Sequence, residues 1–254
     1  MNLESSELEH FRRRGFFFIA NPYDEKSMLA IDHLQREIGP KWEGRTFPTG
    51  FNRNACQFLM MGELVLQRVE DPDILNLARF LLNCDEIEVG ACGLGDAAKE
   101  VAAGRDRHQV HWHTDGGPED QQVSLRMALD RHGPDNGPLR ILPASHLRVR
   151  EEVAEELRQL ELASGTHDVE PDSCFARHPD EIEVHLDPRW TLVWTPSAWH
   201  ATGLKTAAGP RRAMAWNYFP RGGRRRDVEA LKYLYEGQWE DWTEERKRLW
   251  ALID

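Results

Sequence analysis

The sequence predicts a mainly β protein with flanking helices, and three observations support this fold class. From about residue 86 onward the chain consists of short segments, several of which alternate between apolar and polar residues, as half-buried strands do. Turn signals such as "HGPDNGP" and "AAGP" separate these segments. The stretches on either side have the apolar spacing of amphipathic helices. We therefore expect a single domain over 1–254, with a helical part over 1–85, a β sandwich or barrel over 86–219 and a closing helix over 226–254.

The N-terminal part is predicted to contain three helices and one strand. Residues 3–14 form the first helix, which Gly15 ends, and "FFFIA" follows as a short buried strand. An amphipathic helix begins after Asp24, a suitable N-cap, and ends at Gly39. The third helix covers 72–83, with a proline at its first position.

Seven segments of the central part are predicted to be strands. In chain order they are "EIEVGAC", "HQVHWHTD", "QVSLRMALD", "LRILPAS", "EIEVHLD", "RWTLVWTP" and "RRAMAWNYF". A helix over 150–165 interrupts them. The C-terminal stretch is amphipathic, and its tryptophans can pack on the sheet.

Composition argues against several classes of function. The 254 residues are 40% hydrophobic, which is enough for one substantial core. A net charge of −11 disfavours a nucleic-acid binder or a partner of anionic membranes. No apolar stretch approaches the roughly 20 residues of a membrane span, and the N-terminus has no signal-peptide pattern. Four scattered cysteines fit reduced thiols in a cytoplasmic protein. The sequence leaves the oligomeric state open between a monomer and a homodimer.

The stretch "QVHWHTDGGPED" contains candidate metal ligands. On a strand, residues i and i+2 share a face with Cα atoms about 6–7 Å apart, so their side chains can converge on one ion. Both His111 with His113 and His113 with Asp115 are suitable pairs. The first pair is typical of a cupin, and the second is typical of a facial triad, in which a distant His completes the set. His200, just after the strand in "RWTLVWTPSAWHATG", is that distant candidate.

Three further motifs accompany this pattern. "NGPLRILPASH" follows the His-rich segment after one strand and a turn, and "TLVWTPSAWHATG" is an apolar strand, a turn and His-x-Thr-Gly. In "GPRRAMAWNYF", ten residues separate Arg211 from His200. Together with His113-Thr114-Asp115 and the N-terminal "FRRRGFFFI", these motifs resemble the phytanoyl-CoA dioxygenase family of non-haem Fe(II)/2-oxoglutarate-dependent oxygenases. The resemblance covers about residues 8–220.

The resemblance implies a double-stranded β-helix, or jelly roll, and a set of site residues. His113, Asp115 and His200 would bind Fe(II), while Arg211 and Thr202 would hold the distal carboxylate of 2-oxoglutarate. Two imidazoles and one carboxylate leave three octahedral positions, which suits 2-oxoglutarate and O2. Arg offers the distal carboxylate a planar, bidentate partner.

The implied reaction is the oxidation, in the first instance hydroxylation, of an unactivated C–H bond of a small molecule, with release of succinate and CO2. Asp115 favours this outcome, because halogenating relatives carry a small residue at that position. Secondary metabolism is a frequent setting for such enzymes. Arg212 is the alternative to Arg211, but strand alternation places it on the opposite face.

Substrate contacts are expected from residues near the mouth of the site. The candidates are His111, Gln122, Arg126, Trp199 and Trp216. Strand alternation gives His111 the same inward face as His113. Residues 93–108, where relatives hold the other end of 2-oxoglutarate, are interpreted as an insertion or lid. Residues 166–181 are likewise interpreted as a variable lid segment, from which His167 and His178 could reach the mouth of the site.

Two alternatives stay open. One is a catalytically silent jelly-roll binding protein, and the other is a cupin-type metalloenzyme that uses His111, His113 and His200. Loss of iron on Asp115→Ala favours the triad, whereas loss only on His111→Ala favours the cupin-type set.

Overall fold

The computed structural model describes residues 5–43, 50–96, 108–116, 121–165, 174–222 and 228–253. Within these ranges the chain forms two antiparallel sheets with flanking helices. The strands are β1 (Phe16–Ala20), β2 (Ile87–Asp96), β3 (His108–His113), β4 (Val123–Ala128), β5 (Leu139–Ile141), β6 (Ile182–Val184), β7 (Trp190–Trp194), β8 (His200–Lys205) and β9 (Arg212–Pro220).

The larger sheet has the order β1-β7-β4-β9-β2, and the smaller sheet has the order β3-β8-β5-β6. Most neighbours within a sheet are distant in sequence, so the chain crosses repeatedly between the two sheets. This is the jelly-roll, or double-stranded β-helix, architecture that the sequence predicts.

The described helices are α1 (Ser5–Arg14), α2 (Glu25–Glu43), α3 (Arg53–Leu59), α4 (Glu63–Val69), α5 (Pro72–Leu82), α6 (Arg150–Ala163), α7 (Val228–Leu234) and α8 (Glu244–Leu249). All of them except α6 pack on the outer face of the larger sheet, whereas α6 packs against the smaller sheet. One apolar core joins helix residues such as Phe58 and Ile74 to Trp216 and Tyr218 of β9. Alternation along β9 therefore leaves Ala213 and Ala215 on the inner face of the sheet, where a cavity lies.

Several helix boundaries differ from the sequence prediction. Helix α2 continues past Gly39 to Glu43, whereas α1 and α5 end close to the positions predicted for the first and third helices. The sequence did not predict α3 and α4, because seven residues are too few to show a helical period. The N-cap of α3 is the local signal, since the Asn52 side chain accepts from Asn54 N and Ala55 N.

The prediction of one closing helix over 226–254 is wrong. Its described part contains α7, a 3-10 turn at Trp239–Asp241 and α8. Gly237, at φ 74°, lies between α7 and the turn, and Thr243 caps a new helix by accepting from Arg246 N at 3.2 Å. The glycine and the new N-cap therefore interrupt a segment whose amphipathic pattern alone indicates one continuous helix.

The predicted insertions are partly strand. Residues 93–96 belong to β2, which runs on to Asp96, while 97–107 and 166–173, with His167, lie outside the described residues. In the part of the chain that the structure describes, no helix has the length and apolarity needed to cross a membrane.

Candidate metal centre

Three side chains from two paired strands converge at one end of the smaller sheet. His113 is the last residue of β3 and pairs with His200, the first residue of β8, while Asp115 lies two residues beyond β3. The ligand atoms all lie within 4.8 Å of one another. Nε2 of His113 is 4.0 Å from Asp115 Oδ1, and Nε2 of His200 is 3.7 Å from Asp115 Oδ2. A metal ion at about 2 Å from each ligand atom fits this spacing.

Backbone carbonyls fix the tautomer of both imidazoles. Nδ1 of His113 donates to His111 O at 2.8 Å, and Nδ1 of His200 donates to Ala198 O at 2.9 Å. Because a carbonyl oxygen only accepts, each ring carries its proton on Nδ1 and offers the Nε2 lone pair to a metal. Burial lowers the pKa of His200 to about 3, and the nearby His113 adds to this shift. The ring is therefore neutral, as a metal ligand must be.

A bulge in β3 separates His111 from the metal-binding face. Val110 pairs with Thr202, whereas His113 pairs with His200, so one extra residue lies on β3 between the two pairs. Val110 and His113 consequently both line the cavity. The expectation that alternation gives His111 the inward face is wrong, and its ring packs 6.2 Å from that of Phe175.

The geometry favours the triad over the cupin-type set. Among the described residues, the group that could hold a metal consists of His113, Asp115 and His200, and His111 is not part of it. The ring centroids of His113 and His200 are 4.1 Å apart, compared with 5.5 Å between His111 and His113.

Hydrogen bonds hold the backbone of Asp115 in place beyond the end of the strand. Its N donates to Pro196 O at 2.9 Å, and Gln122 Nε2 donates to its carbonyl oxygen. Asn217 Nδ2 in turn donates to Gln122 Oε1 at 2.9 Å. Gln122, a predicted substrate contact, is thus buried behind the metal ligand and positions it.

A cavity of about 330 Å³ opens beside the triad and is lined from both sheets. Small residues form one wall, because Gly93 pairs with Ala215 and Gly95 pairs with Ala213 across β2 and β9. Asn54 of α3 also lines it. These lining residues were missed at the sequence level, although the alternating small residues in "GLG" and "AMA" are a signal for them. They leave room for a small organic molecule.

The predicted 2-oxoglutarate residues line the same cavity. Arg211 is 5% exposed, and its Nε donates to Gly137 O at 2.5 Å. Gly137 has φ +58°, and a Cβ there would lie 2.9 Å from Arg211 Nε, so the glycine makes room for the guanidinium. Thr202 lies on β8, two residues past His200, and also lines the cavity. Arg212 points to the opposite face, where it pairs with Asp130.

Among the five predicted substrate contacts, Arg126 lines the cavity and the two tryptophans do not. Trp216 is 1% exposed in the main core and donates to Tyr218 OH at 2.9 Å. Trp199 packs with Trp112 and Leu142 in a smaller core. Both tryptophans are packing residues in this structure, which corrects the prediction.

A buried polar cluster, which the sequence did not reveal, fastens the segment after α6 to the smaller sheet. Arg140, at 2% exposure, pairs with Glu181 at 2.5 Å and donates to Phe175 O and Ala176 O at 2.9 and 2.7 Å. The Glu161 carboxylate accepts from the N–H groups of the same two residues. This arrangement places Phe175 against His111. His178 is buried and hydrogen-bonded to Glu156, so it does not reach the cavity.

Comparisons with known proteins agree with this architecture. The family model "Phytanoyl-CoA dioxygenase (PhyH)" matches residues 11–213. The carbocyclase SnoK, described as non-haem and α-ketoglutarate-dependent and taken from nogalamycin biosynthesis, aligns with a TM-score of 0.63 and 19% identity over 93% of each chain. HygX from Streptomyces hygroscopicus, solved with nickel and 2-oxoglutarate, has a TM-score of 0.65 and 15% identity over 88% of this chain and 90% of its own.

A third similar structure is EctD from S. alaskensis with bound Fe, at a TM-score of 0.62 and 16% identity over 88% of this chain and 79% of its own. At such identities the structural likeness shows the shared fold. No curated protein matches the sequence.

Proposed function

Since the chain belongs to the phytanoyl-CoA dioxygenase family, we propose that it hydroxylates an unactivated C–H bond of a small molecule with Fe(II), 2-oxoglutarate and O2. The enzyme class, an Fe(II)/2-oxoglutarate-dependent dioxygenase, follows from the family. The observation that carries the proposal is that His113, Asp115, His200 and Arg211 meet in one cavity. Succinate and CO2 are the expected co-products.

The donor set fits Fe(II). Two neutral imidazole nitrogens and one carboxylate oxygen are the facial ligands of non-haem iron, and they leave adjacent positions open. Bound iron would supply the activation of O2, coupled to the decarboxylation of 2-oxoglutarate. The chain's own part is to hold His113 and His200 in the correct tautomer and to keep Asp115 at the end of β3.

Arg211 and Thr202 are suited to the distal carboxylate of 2-oxoglutarate. The hydrogen bond from Arg211 Nε to Gly137 O fixes the plane of the guanidinium inside the cavity. A fixed guanidinium can bind a carboxylate with two parallel hydrogen bonds. Thr202 lies on β8 and lines the same cavity, and its hydroxyl can donate a further hydrogen bond to the carboxylate.

Apolar side chains complete the surroundings of the triad. Val110, Leu139 and Trp194 line the cavity, and the Trp194 ring stands edge-on to His200 with centroids 4.6 Å apart. They limit water near the metal and give a hydrocarbon part of the substrate a surface to pack on. Halogenating relatives have a small residue at the position of Asp115, which leaves room for a halide on the metal. The carboxylate of Asp115 therefore supports hydroxylation over halogenation.

A secondary metabolite is our proposed substrate class. The support is the similarity to SnoK from nogalamycin biosynthesis, together with a cavity walled by Gly93, Gly95, Ala213 and Ala215.

Anaerobic titration of the Fe(II)-loaded protein with 2-oxoglutarate tests the proposal. We expect a visible metal-to-ligand charge-transfer band in the wild type, its loss in Asp115→Ala, and succinate formation on admission of O2. His111→Ala is the matched control and should keep the band. A wild type that gives neither band nor succinate would contradict the proposal, and loss of the band in His111→Ala but not in Asp115→Ala would favour the cupin-type site.

A further inference from the structure

Arg126 is a cation inside the cavity that no described residue compensates by contact. It lies on the inner face of β4, opposite Leu192 on one side and Ala215 on the other. Its Nε is buried without a hydrogen bond, and no described carboxylate oxygen lies within 4.0 Å of the guanidinium. The guanidinium therefore brings a positive charge and N–H donors into the cavity, and no described residue there forms an ion pair or a hydrogen bond with it.

Such an arrangement is unfavourable unless a ligand completes it. A half-buried charge that lacks a partner loses part of its hydration and gains no contact in return, so an apolar side chain of similar size would be the more stable choice. Burial lowers the pKa of Arg126, but an arginine starts so far above neutrality that it stays charged. The position thus indicates a role in binding an anion.

The charge of Arg126 acts on both the triad and the Arg211 side of the cavity. Asp115 is the carboxylate that raises the pKa of Arg126 against the effect of burial, although the two groups do not touch. Burial lowers the pKa of His132 to about 3, and the charges of Arg211 and Arg126 both add to that shift. Arg126 is therefore close to the triad as well as to the second arginine.

The cavity carries more positive charge than 2-oxoglutarate neutralises. Asp115 is the one carboxylate among the described lining residues, which also include two arginines. With a divalent metal bound, the lining has an excess of positive charge, and the dianionic co-substrate removes only part of it. An anionic group beside the metal is electrostatically favoured.

We propose that Arg126 is a second carboxylate-binding residue, which holds a carboxylate next to the metal while Arg211 holds the distal carboxylate of 2-oxoglutarate. This inference rests on the proposed function. A guanidinium binds any carboxylate in the same bidentate manner. The group has two possible sources, the 2-oxo acid end of the co-substrate or a carboxylate of the primary substrate, and the experiment below separates them.

The first arm is anaerobic calorimetry of the Fe(II)-loaded protein with 2-oxoglutarate and with 2-oxovalerate, which keeps the 2-oxo acid end and lacks the distal carboxylate. If the co-substrate is the source, Arg126→Met weakens binding of both ligands by at least about tenfold, as loss of a charge-assisted hydrogen bond predicts. Arg211→Met, the matched control, should weaken the binding of 2-oxoglutarate and leave the binding of 2-oxovalerate unchanged. Arg126→Lys, which keeps the charge, should lie between wild type and Arg126→Met.

The second arm titrates the Fe(II)·2-oxoglutarate complex with butyrate and with butyramide, its uncharged counterpart. If the primary substrate is the source, the wild type binds butyrate in preference to butyramide, and Arg126→Met loses this preference while its 2-oxoglutarate affinity is unchanged. Equal affinities of wild type and Arg126→Met for 2-oxoglutarate, 2-oxovalerate and butyrate would overturn the inference and leave the proposed function standing. A wild type that does not bind 2-oxoglutarate would overturn both.

Thermal unfolding separates this role from a structural one. Because Arg126→Met removes an uncompensated charge, the metal-free variant should unfold at the same temperature as the wild type or at a higher one. A lower melting temperature in Arg126→Met, with ligand affinities unchanged, would show that Arg126 supports the fold and would contradict the inference.

Discussion

Arg212 and Arg126 lie on opposite faces of the larger sheet and differ in how their charges are compensated. Arg212 donates to Asp130 through Nε and one terminal nitrogen, at 2.9 and 2.7 Å, and to Asp32 and Gln35 through the other, at 2.7 and 2.9 Å. Arg126 makes no such contact with the described residues. The paired guanidinium joins α2 to β9, whereas the unpaired one is available to a ligand.

This difference divides the sheet into a side that determines stability and a side that determines binding. The outer side has satisfied ion pairs and the main apolar core. The inner side has small residues and two arginines, and it faces the metal triad of the smaller sheet across the cavity. Substitutions on the inner side should therefore change ligand affinity, whereas substitutions on the outer side should change the free energy of unfolding.

Asp115→Ala should abolish function without unfolding the protein. Even residues that only orient a metal ligand contribute about 10–100-fold to affinity, so removal of a ligand should cost more than about 100-fold. The carboxylate is 53% exposed, and the free energy of unfolding of the metal-free protein should change by less than about 0.5 kcal/mol. Calorimetry with Fe(II) and urea unfolding measure the two quantities. Retention of wild-type affinity for Fe(II) would remove Asp115 from the metal site.

Arg212→Met should show the opposite behaviour. It leaves the Asp130 carboxylate without its arginine partner and removes one of the two arginine partners of Asp32, and breaking such a buried pair costs about 3 kcal/mol. Urea unfolding measures this loss, and the folded variant should bind 2-oxoglutarate as the wild type does. A change in 2-oxoglutarate affinity with no change in stability would contradict the division between the two sides.

Gly137→Ala tests how the inner side holds Arg211. The new Cβ would lie 2.9 Å from Arg211 Nε, in a backbone with φ +58° that an alanine adopts at a cost of about 1–2 kcal/mol. We expect 2-oxoglutarate affinity to fall by about tenfold, the equivalent of one displaced charge-assisted contact. Gly209→Ala, at φ +98° with nothing near the added atom, is the matched control for backbone strain. Equal affinities of the two variants would exclude the role of Gly137.

The pH dependence of stability, compared between the wild type and Asp130→Asn, tests the ion pair on the outer side. Burial would raise the pKa of Asp130, but its hydrogen bonds and ion pair with Arg212 outweigh this and lower it. A carboxyl whose pKa is lower in the folded state contributes stability above its unfolded pKa, and that contribution is lost as pH falls through the folded pKa, below about 4. The stability difference between wild type and Asp130→Asn should therefore be larger at neutral pH than in acid. A difference that is constant with pH would contradict the paired state of Asp130.

The sequence predicted the parts of the site that depend on local spacing. His113 and Asp115 are two residues apart at a strand end. His200 begins β8 and Arg211 directly precedes β9, the next strand along the chain, so the spacing within each pair can be seen in short segments. The positions of eight of the nine described strands along the chain, and with them the mainly β class, were predictable for the same reason, whereas β8 (His200–Lys205) was not predicted as a strand. Alternating patterns and turn residues are visible in the chain itself.

The remaining features depend on partners that are distant in sequence. The bulge in β3 arises from its pairing with β8, so alternation misplaced His111. Trp216 was expected at the site but faces the helices, because Ala215 takes the inner position. The isolation of Arg126 is visible only when every neighbouring strand is in place, since an arginine on a strand can equally be paired or exposed.

The most direct measurement is an anaerobic crystal structure of the protein with Fe(II) and 2-oxoglutarate. We expect iron bound by Nε2 of His113, Nε2 of His200 and the Asp115 carboxylate, with the distal carboxylate of 2-oxoglutarate on Arg211. Iron ligated by His111, or 2-oxoglutarate bound away from Arg211, would contradict this expectation.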